Sequence, residues 1–125
     1  IKAMVKQLTI PVDIVACPII REDSGLARSS RNTLLTDEQR KKAALIFKVL
    51  SKSTTFVAQK TPAEICRWVA EQFADDKEFK LDYYEIVDAD SLESIKDWSD
   101  SNDIVGCIAI YCGNIRLIDN IHYTK

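Results

Sequence analysis

Between Arg21 and Asn32 the chain sets three arginines, three serines, an asparagine and one glycine within twelve residues: Arg21-Glu22-Asp23-Ser24-Gly25-Leu26-Ala27-Arg28-Ser29-Ser30-Arg31-Asn32. A guanidinium is planar, permanently charged and forked, which suits phosphate oxygens; serine hydroxyls and loop amides add neutral donors. A loop of this kind, after a short apolar strand and before a helix start, is suited to gripping a polyanion. The same composition also suits a polar surface turn whose Ser and Asn side chains cap nearby backbone. Composition by itself leaves both readings open.

The elements on either side must hold that loop. Ahead of it, Ile1, Met4, Val5 and Leu8 form a helical stripe, Thr9-Ile10-Pro11 breaks the helix, and Val12 to Cys17 reads as a buried strand. A helix feeding one short apolar strand is the end of an α/β unit whose other strands are absent. The apolar residues Met4, Val5, Ile14 and Val15 then lack their natural cover, and are expected to pack on the rest of the chain or on a second copy. Behind the loop, Thr36-Asp37-Glu38-Gln39 is a capping-box helix start, with Ala43, Ile46, Phe47 and Leu50 on one stripe. Thr61-Pro62-Ala63-Glu64 starts a second helix, whose apolar face is Ile65, Trp68, Val69 and Phe73. These aromatics suit a core rather than a ligand platform. Phe79 to Val87 reads as a strand, and Asp90 to Ile95 as a short helix capped by Asp90.

Cys112-Gly113-Asn114-Ile115 reads as a two-residue turn between Ile104–Tyr111 and Ile115–Tyr123. Pairing Cys112 with Ile115 puts Ile108, Ile110, Leu117 and Ile121 on one face, towards the helices. Cys107, Tyr111, Arg116, Ile118 and Asn120 fall on the other. Cys107 and Cys112 therefore point to opposite sides and share neither a bond nor a metal. The expected fold is α+β, two main helices on a three-stranded, mostly antiparallel sheet, preceded by the helix–strand remnant.

The chain has 125 residues, 46% of them hydrophobic, enough for one modest core plus the remnant. A net charge of −2 and a pI near 5.4 argue against a general nucleic-acid or membrane surface. Arg40-Lys41-Lys42 reads as a solvated helix face, and no apolar run reaches membrane-spanning length. The cysteines at 17, 66, 107 and 112 contain no C-x-x-C pair, which points to free thiols in a reducing cytoplasm rather than a zinc site. His122 ends an edge strand as a polar tip.

The order of residues is more specific than their composition. Ile19 to Asn32 closely resembles the signature loop of the pantothenate synthetase (pantoate–β-alanine ligase) family, whose usual form is roughly V-R-E-x-D-G-L-A-M-S-S-R-N. Arg116-Leu117-Ile118-Asp119-Asn120 resembles that family's closing R-L-I-D-N strand, and Tyr84 to Asp88 its Y-x-E-x-V-D strand, with a shift of register. Arg28 departs from the pattern, standing where the family usually has methionine. The resemblance implies that residues 1–20 end an N-terminal nucleotide-binding domain and that residues 21–125 form a C-terminal lid domain. Nothing here resembles the family's H-x-G-H motif, pantoate-binding glutamines or G-x-K-D segment. It further implies a cytoplasmic, homodimeric ligase that joins pantoate to β-alanine through pantoyl adenylate, using ATP with Mg2+ and no tightly bound cofactor. Ser29, Ser30 and Arg31 match the S-S-R that contacts ATP phosphates, and Ile20 the position whose main chain meets adenine. Arg28 would add a phosphate contact or point to water, and Asn32 would fix the loop. The fragment alone is expected to fold, to bind ATP weakly and to be inactive. Another nucleotidyltransferase-superfamily enzyme and a non-catalytic α+β interaction domain are the alternatives.

Overall fold

The computed structural model describes residues 1–124. Its elements are α1 (Lys2–Gln7), α2 (Asp37–Ser53), α3 (Pro62–Ala74), β1 (Phe79–Asp88), β2 (Ile104–Cys112) and β3 (Ile115–Tyr123). Short 3₁₀ turns occupy Ser30–Leu34, Thr54–Phe56 and Trp98–Asp100.

Both main helices begin where their capping residues require. Thr36 accepts from the Gln39 amide while the Gln39 side chain accepts from the Thr36 amide, and Thr61 and Glu64 repeat the arrangement with Pro62 in the first turn. The sheet is antiparallel in the order β1-β2-β3. Its hairpin pairs Cys112 with Ile115, as the sequence requires, and Gly113 holds φ 56 at the first turn position, as a type II′ turn demands. Cys107 pairs with Asn120 on one face, and Ile110 with Leu117 on the other.

That second face is the core. Ile104, Ile108, Ile110, Cys112 and Leu117 pack there against Ile46, Val49 and Leu50 of α2 and Ile65, Val69 and Phe73 of α3. Phe73 meets Phe79 edge-on at 5.3 Å, and half-buried Trp68 meets Phe56 at 4.9 Å. The Tyr123 hydroxyl, bonded to both Ser53 and Tyr84, completes a buried chain of three hydroxyls under the sheet's far end. Burial holds the Tyr84 phenol far above its usual range and pushes the Cys112 thiol up to about 11.

Three expectations are corrected. No strand forms at Val12–Cys17: the stretch lies outside the paired strands β1, β2 and β3, so its backbone lacks the neighbour a ladder needs. No residue of 1–20 is buried, and Met4, Ile14 and Val15 face outward, so of the two covers expected for them the rest of the chain is excluded. Asp90–Ile95 is not a helix and Asp90 is not its cap. The Asp88 carboxylate accepts from the amides of Asp90 and Ser91 at 3.0 and 2.7 Å, Leu92 turns to φ 61, and Ser94 bridges back to Val87. Asp88 thus caps a single turn, closed by the Leu92 amide on Asp88 O at 2.9 Å; left-handed Leu92 ends it, and Glu93 O and the Ile95 amide bond back to β1 at 3.0 and 3.1 Å instead of continuing a helix.

Asp88 also accepts from the Ser101 hydroxyl at 2.6 Å, and these bonds hold its carboxyl at about 2, below the ordinary 3.8. A depressed folded pKa means the stabilisation is complete above about pH 4 and is lost as pH falls towards 2. Asp88→Asn should therefore melt below the parent at neutral pH, and the gap should close across that acid window.

Candidate functional site

The loop from Arg21 to Asn32 is a short clasp followed by a single 3₁₀ turn. Arg21 bridges Ala27, the Glu22 amide donates to Leu26 O at 2.9 Å, and the Gly25 amide returns to Glu22 O at 2.8 Å. Gly25 has φ 93, and a Cβ there would lie 2.5 Å from Phe47 Cδ1. Gly25→Ala should cost about 1–3 kcal/mol in a denaturation measurement, from backbone strain and displacement of that ring.

Arg21 is withdrawn from ligand chemistry. Its guanidinium binds Asp119 of β3 through two hydrogen bonds, 2.6 and 3.0 Å, donates to Gly25 O at 3.0 Å and lies 3.9 Å above the Phe47 ring. The Asp119 side chain is only 4% exposed. The alternation of β3 puts Asp119 on the core face opposite Ile108, which is the signal in the sequence that it needs a buried partner.

Glu22 binds Arg40 twice and also accepts from the Asn32 amide; these bonds hold its carboxyl below the usual range. Arg40 is thus more than part of a solvated face, and Lys42 pairs with Asp76 at 3.2 Å. Asn32 is buried and fixes the loop, giving its second amide proton to Ala27 O at 3.0 Å.

The five residues singled out from the sequence lie together at the open edge of this clasp. Ile20 is exposed, and its carbonyl accepts from the Arg28 amide at 2.9 Å, so its own N–H is the main-chain group left to offer. Ser29 caps the 3₁₀ turn by accepting from the Arg31 amide at 3.2 Å, which is the capping role composition allowed. The Ser30 hydroxyl and the guanidinium groups of Arg28 and Arg31 are exposed and make no hydrogen bond or ion pair among the described residues. Two hollows flank the loop. One, of about 470 Å³, lies between Ser29, Ser30 and Arg40; the other, of about 170 Å³, lies between Arg31, Ile46 and Leu117. Arg28 and Ser29 line both. Chemically this is a donor-rich rim, with no group of three metal-ligating side chains among the described residues, suited to holding an anion.

The model of the pantoate–β-alanine ligase family matches residues 1–122. The chain belongs to that family. A pantothenate synthetase from Porphyromonas gingivalis is 49% identical over 98% of this chain and 44% of its own length. The chain thus spans less than half the length of the curated ligases it matches. The crystal structure of pantothenate synthetase from Thermus thermophilus superposes with a TM-score of 0.87 at 36% identity, over 98% of this chain and 45% of that one. A pantoate–β-alanine ligase from Francisella tularensis, complexed with beta-gamma ATP and β-alanine, is 29% identical, with a TM-score of 0.59 over 97% of this chain and 37% of its own. The helices on a three-stranded antiparallel sheet are thus a fold shared with solved ligases of the family.

Proposed function

We propose that this chain is the C-terminal, lid-forming part of an ATP-dependent ligase that condenses pantoate with β-alanine to give pantothenate, AMP and pyrophosphate. Residues 1–20 would close the preceding nucleotide-binding domain and residues 21–125 would form the lid. One observation carries the reading: among the described residues Arg28, Ser30 and Arg31 stand unpaired on a loop braced by Arg21, Glu22 and Asn32, in a chain of this family.

In the proposed reaction a pantoate carboxylate oxygen attacks the α-phosphorus of MgATP, the bond to the bridging oxygen breaks, and pyrophosphate leaves. The amine of β-alanine then attacks the pantoyl carbonyl, AMP departs, and the nitrogen gives up its proton to leave the amide. Both steps concentrate negative charge on phosphate oxygens, so they are favoured by fixed donors more than by a protein nucleophile. Ser29, Ser30 and Arg31 would hold the β- and γ-phosphates, Arg28 would add a further cation, and the Ile20 main chain would meet adenine. Mg2+ travels with ATP as part of the substrate. Closure of the lid excludes water from an acyl adenylate that hydrolyses easily. A homodimeric, cytoplasmic enzyme completes the proposal, with which the free thiols of Cys17, Cys66, Cys107 and Cys112 accord.

The test is product analysis on the full-length protein with MgATP, pantoate and β-alanine. AMP and pyrophosphate in equal amounts, dependent on pantoate, support the reading; ADP and phosphate, or no turnover, exclude it. The isolated chain should fold but form no AMP, since half a site cannot hold the reacting groups in line. Turnover by the isolated chain at a rate like the full-length protein's would contradict the lid assignment.

A further inference from the structure

Besides Asp119, which anchors Arg21, a second carboxylate holds the loop behind its exposed donors. Glu22 Oε1 accepts from Asn32 Nδ2 and from Arg40 Nη2, each at 2.9 Å, and Oε2 accepts from Arg40 Nε at 2.9 Å. Asn32 directly follows Ser29-Ser30-Arg31 in the 3₁₀ turn, and Arg40 lies in the first turns of α2. Three stretches of backbone therefore meet at a single side chain. Asn32 is 4% exposed, and its Oδ1 is buried without a hydrogen-bond partner. Only its two amide protons, given to Glu22 and to Ala27 O, fix how that side chain sits.

We propose that Glu22 is a positioning residue for the phosphate loop: by tying Asn32 to Arg40 it sets where Ser29, Ser30 and Arg31 meet the ATP phosphates. The proposal rests on the nucleotide-binding reading of that loop. Its physical basis is an asymmetry. The Arg40 side chain is 50% exposed, so its ion pair adds little to folding. Phosphoryl chemistry is far more sensitive, because a displacement of about 1 Å in a binding group can cost on the order of a hundredfold in rate. A purely structural Glu22 would affect folding and every kinetic parameter together; a positioning Glu22 would affect ATP use selectively.

The variant is Glu22→Gln in the full-length protein. Glutamine keeps an acceptor for Asn32 but turns an NH₂ group towards Arg40, which has only donors to offer. The KM for ATP should rise about tenfold or more and adenylate formation should slow, with the KM for β-alanine and the unfolding midpoint unchanged. Arg40→Gln breaks the same link from α2 and should reproduce this signature, and the double variant should be no worse than the more affected single one. An unchanged KM for ATP, or a fall in the unfolding midpoint with all kinetic parameters declining together, would overturn the proposal. Arg31→Ala separates this from the reading beneath it. If Glu22→Gln is silent while Arg31→Ala is impaired, only the positioning role falls; if both are silent, the loop's role in ATP binding falls.

Discussion

Arg31→Ala in the full-length protein should slow adenylation roughly a hundredfold or more while leaving stability within about half a kcal/mol. The reason lies in what the side chain does and does not touch. Arg31 is exposed and makes no ion pair or hydrogen bond through its guanidinium among the described residues, so folding does not depend on it. Three side chains around it in the turn are committed: Ser29 caps, Asn32 clamps, and Thr33 donates to Ser30 O at 2.8 Å. A cation held ready on a braced turn has its largest effect when charge builds on a departing pyrophosphate, and that effect is a few kcal/mol. Pantoate-dependent pyrophosphate release measures the first step alone, and chemical denaturation supplies the control. Unchanged release in the variant would sink the assignment of this loop.

Arg21→Ala should do the reverse, and strongly. It leaves Asp119 buried with its ion-pair partner gone, a class of change that costs about 3–5 kcal/mol. Among the described residues only the Asn120 amide, at 2.8 Å, still donates to that carboxylate. The Phe47 ring loses the guanidinium stacked above it, and Gly25 O loses its donor. Arg21→Lys should rescue only part of the loss, because an ammonium cannot form the paired bonds and stack at once. Adding Asp119→Asn to Arg21→Ala should recover some stability by removing the stranded charge. Urea denaturation of the four proteins reads this directly, and a loss below about 1 kcal/mol for Arg21→Ala would show that the clasp is anchored elsewhere.

Arg21 and Arg31 stand in the same short run of sequence and look alike there. What separates them is long-range: Arg21 finds Asp119, 98 residues away, and the Arg31 guanidinium finds no partner among the described residues. Local signals were readable because local physics decides them. The Thr36–Gln39 and Thr61–Glu64 boxes span four residues each, and the Gly113-Asn114 turn dictates the register of β2 with β3. The exposed position of Ser30, Arg28 and Arg31 followed from loop composition and family order. The Glu22–Arg40–Asn32 clamp did not, because nothing in Arg40-Lys41-Lys42 marks which cation turns back towards the loop. The helix read at Asp90–Ile95 failed because the turn that Asp88 caps ends at left-handed Leu92, after which Glu93 to Ile95 pair back onto β1. The strand read at Val12–Cys17 had the right composition but no partner to pair with.

Amide hydrogen exchange on the full-length protein, with and without a non-hydrolysable ATP analogue and Mg2+, tests the central claim most directly. The account predicts slowed exchange in the segment spanning Ala27 to Thr33, and loss of that protection in Arg31→Ala. Protection elsewhere in the protein with this segment unchanged would mean that nucleotide binds without it, contradicting the account.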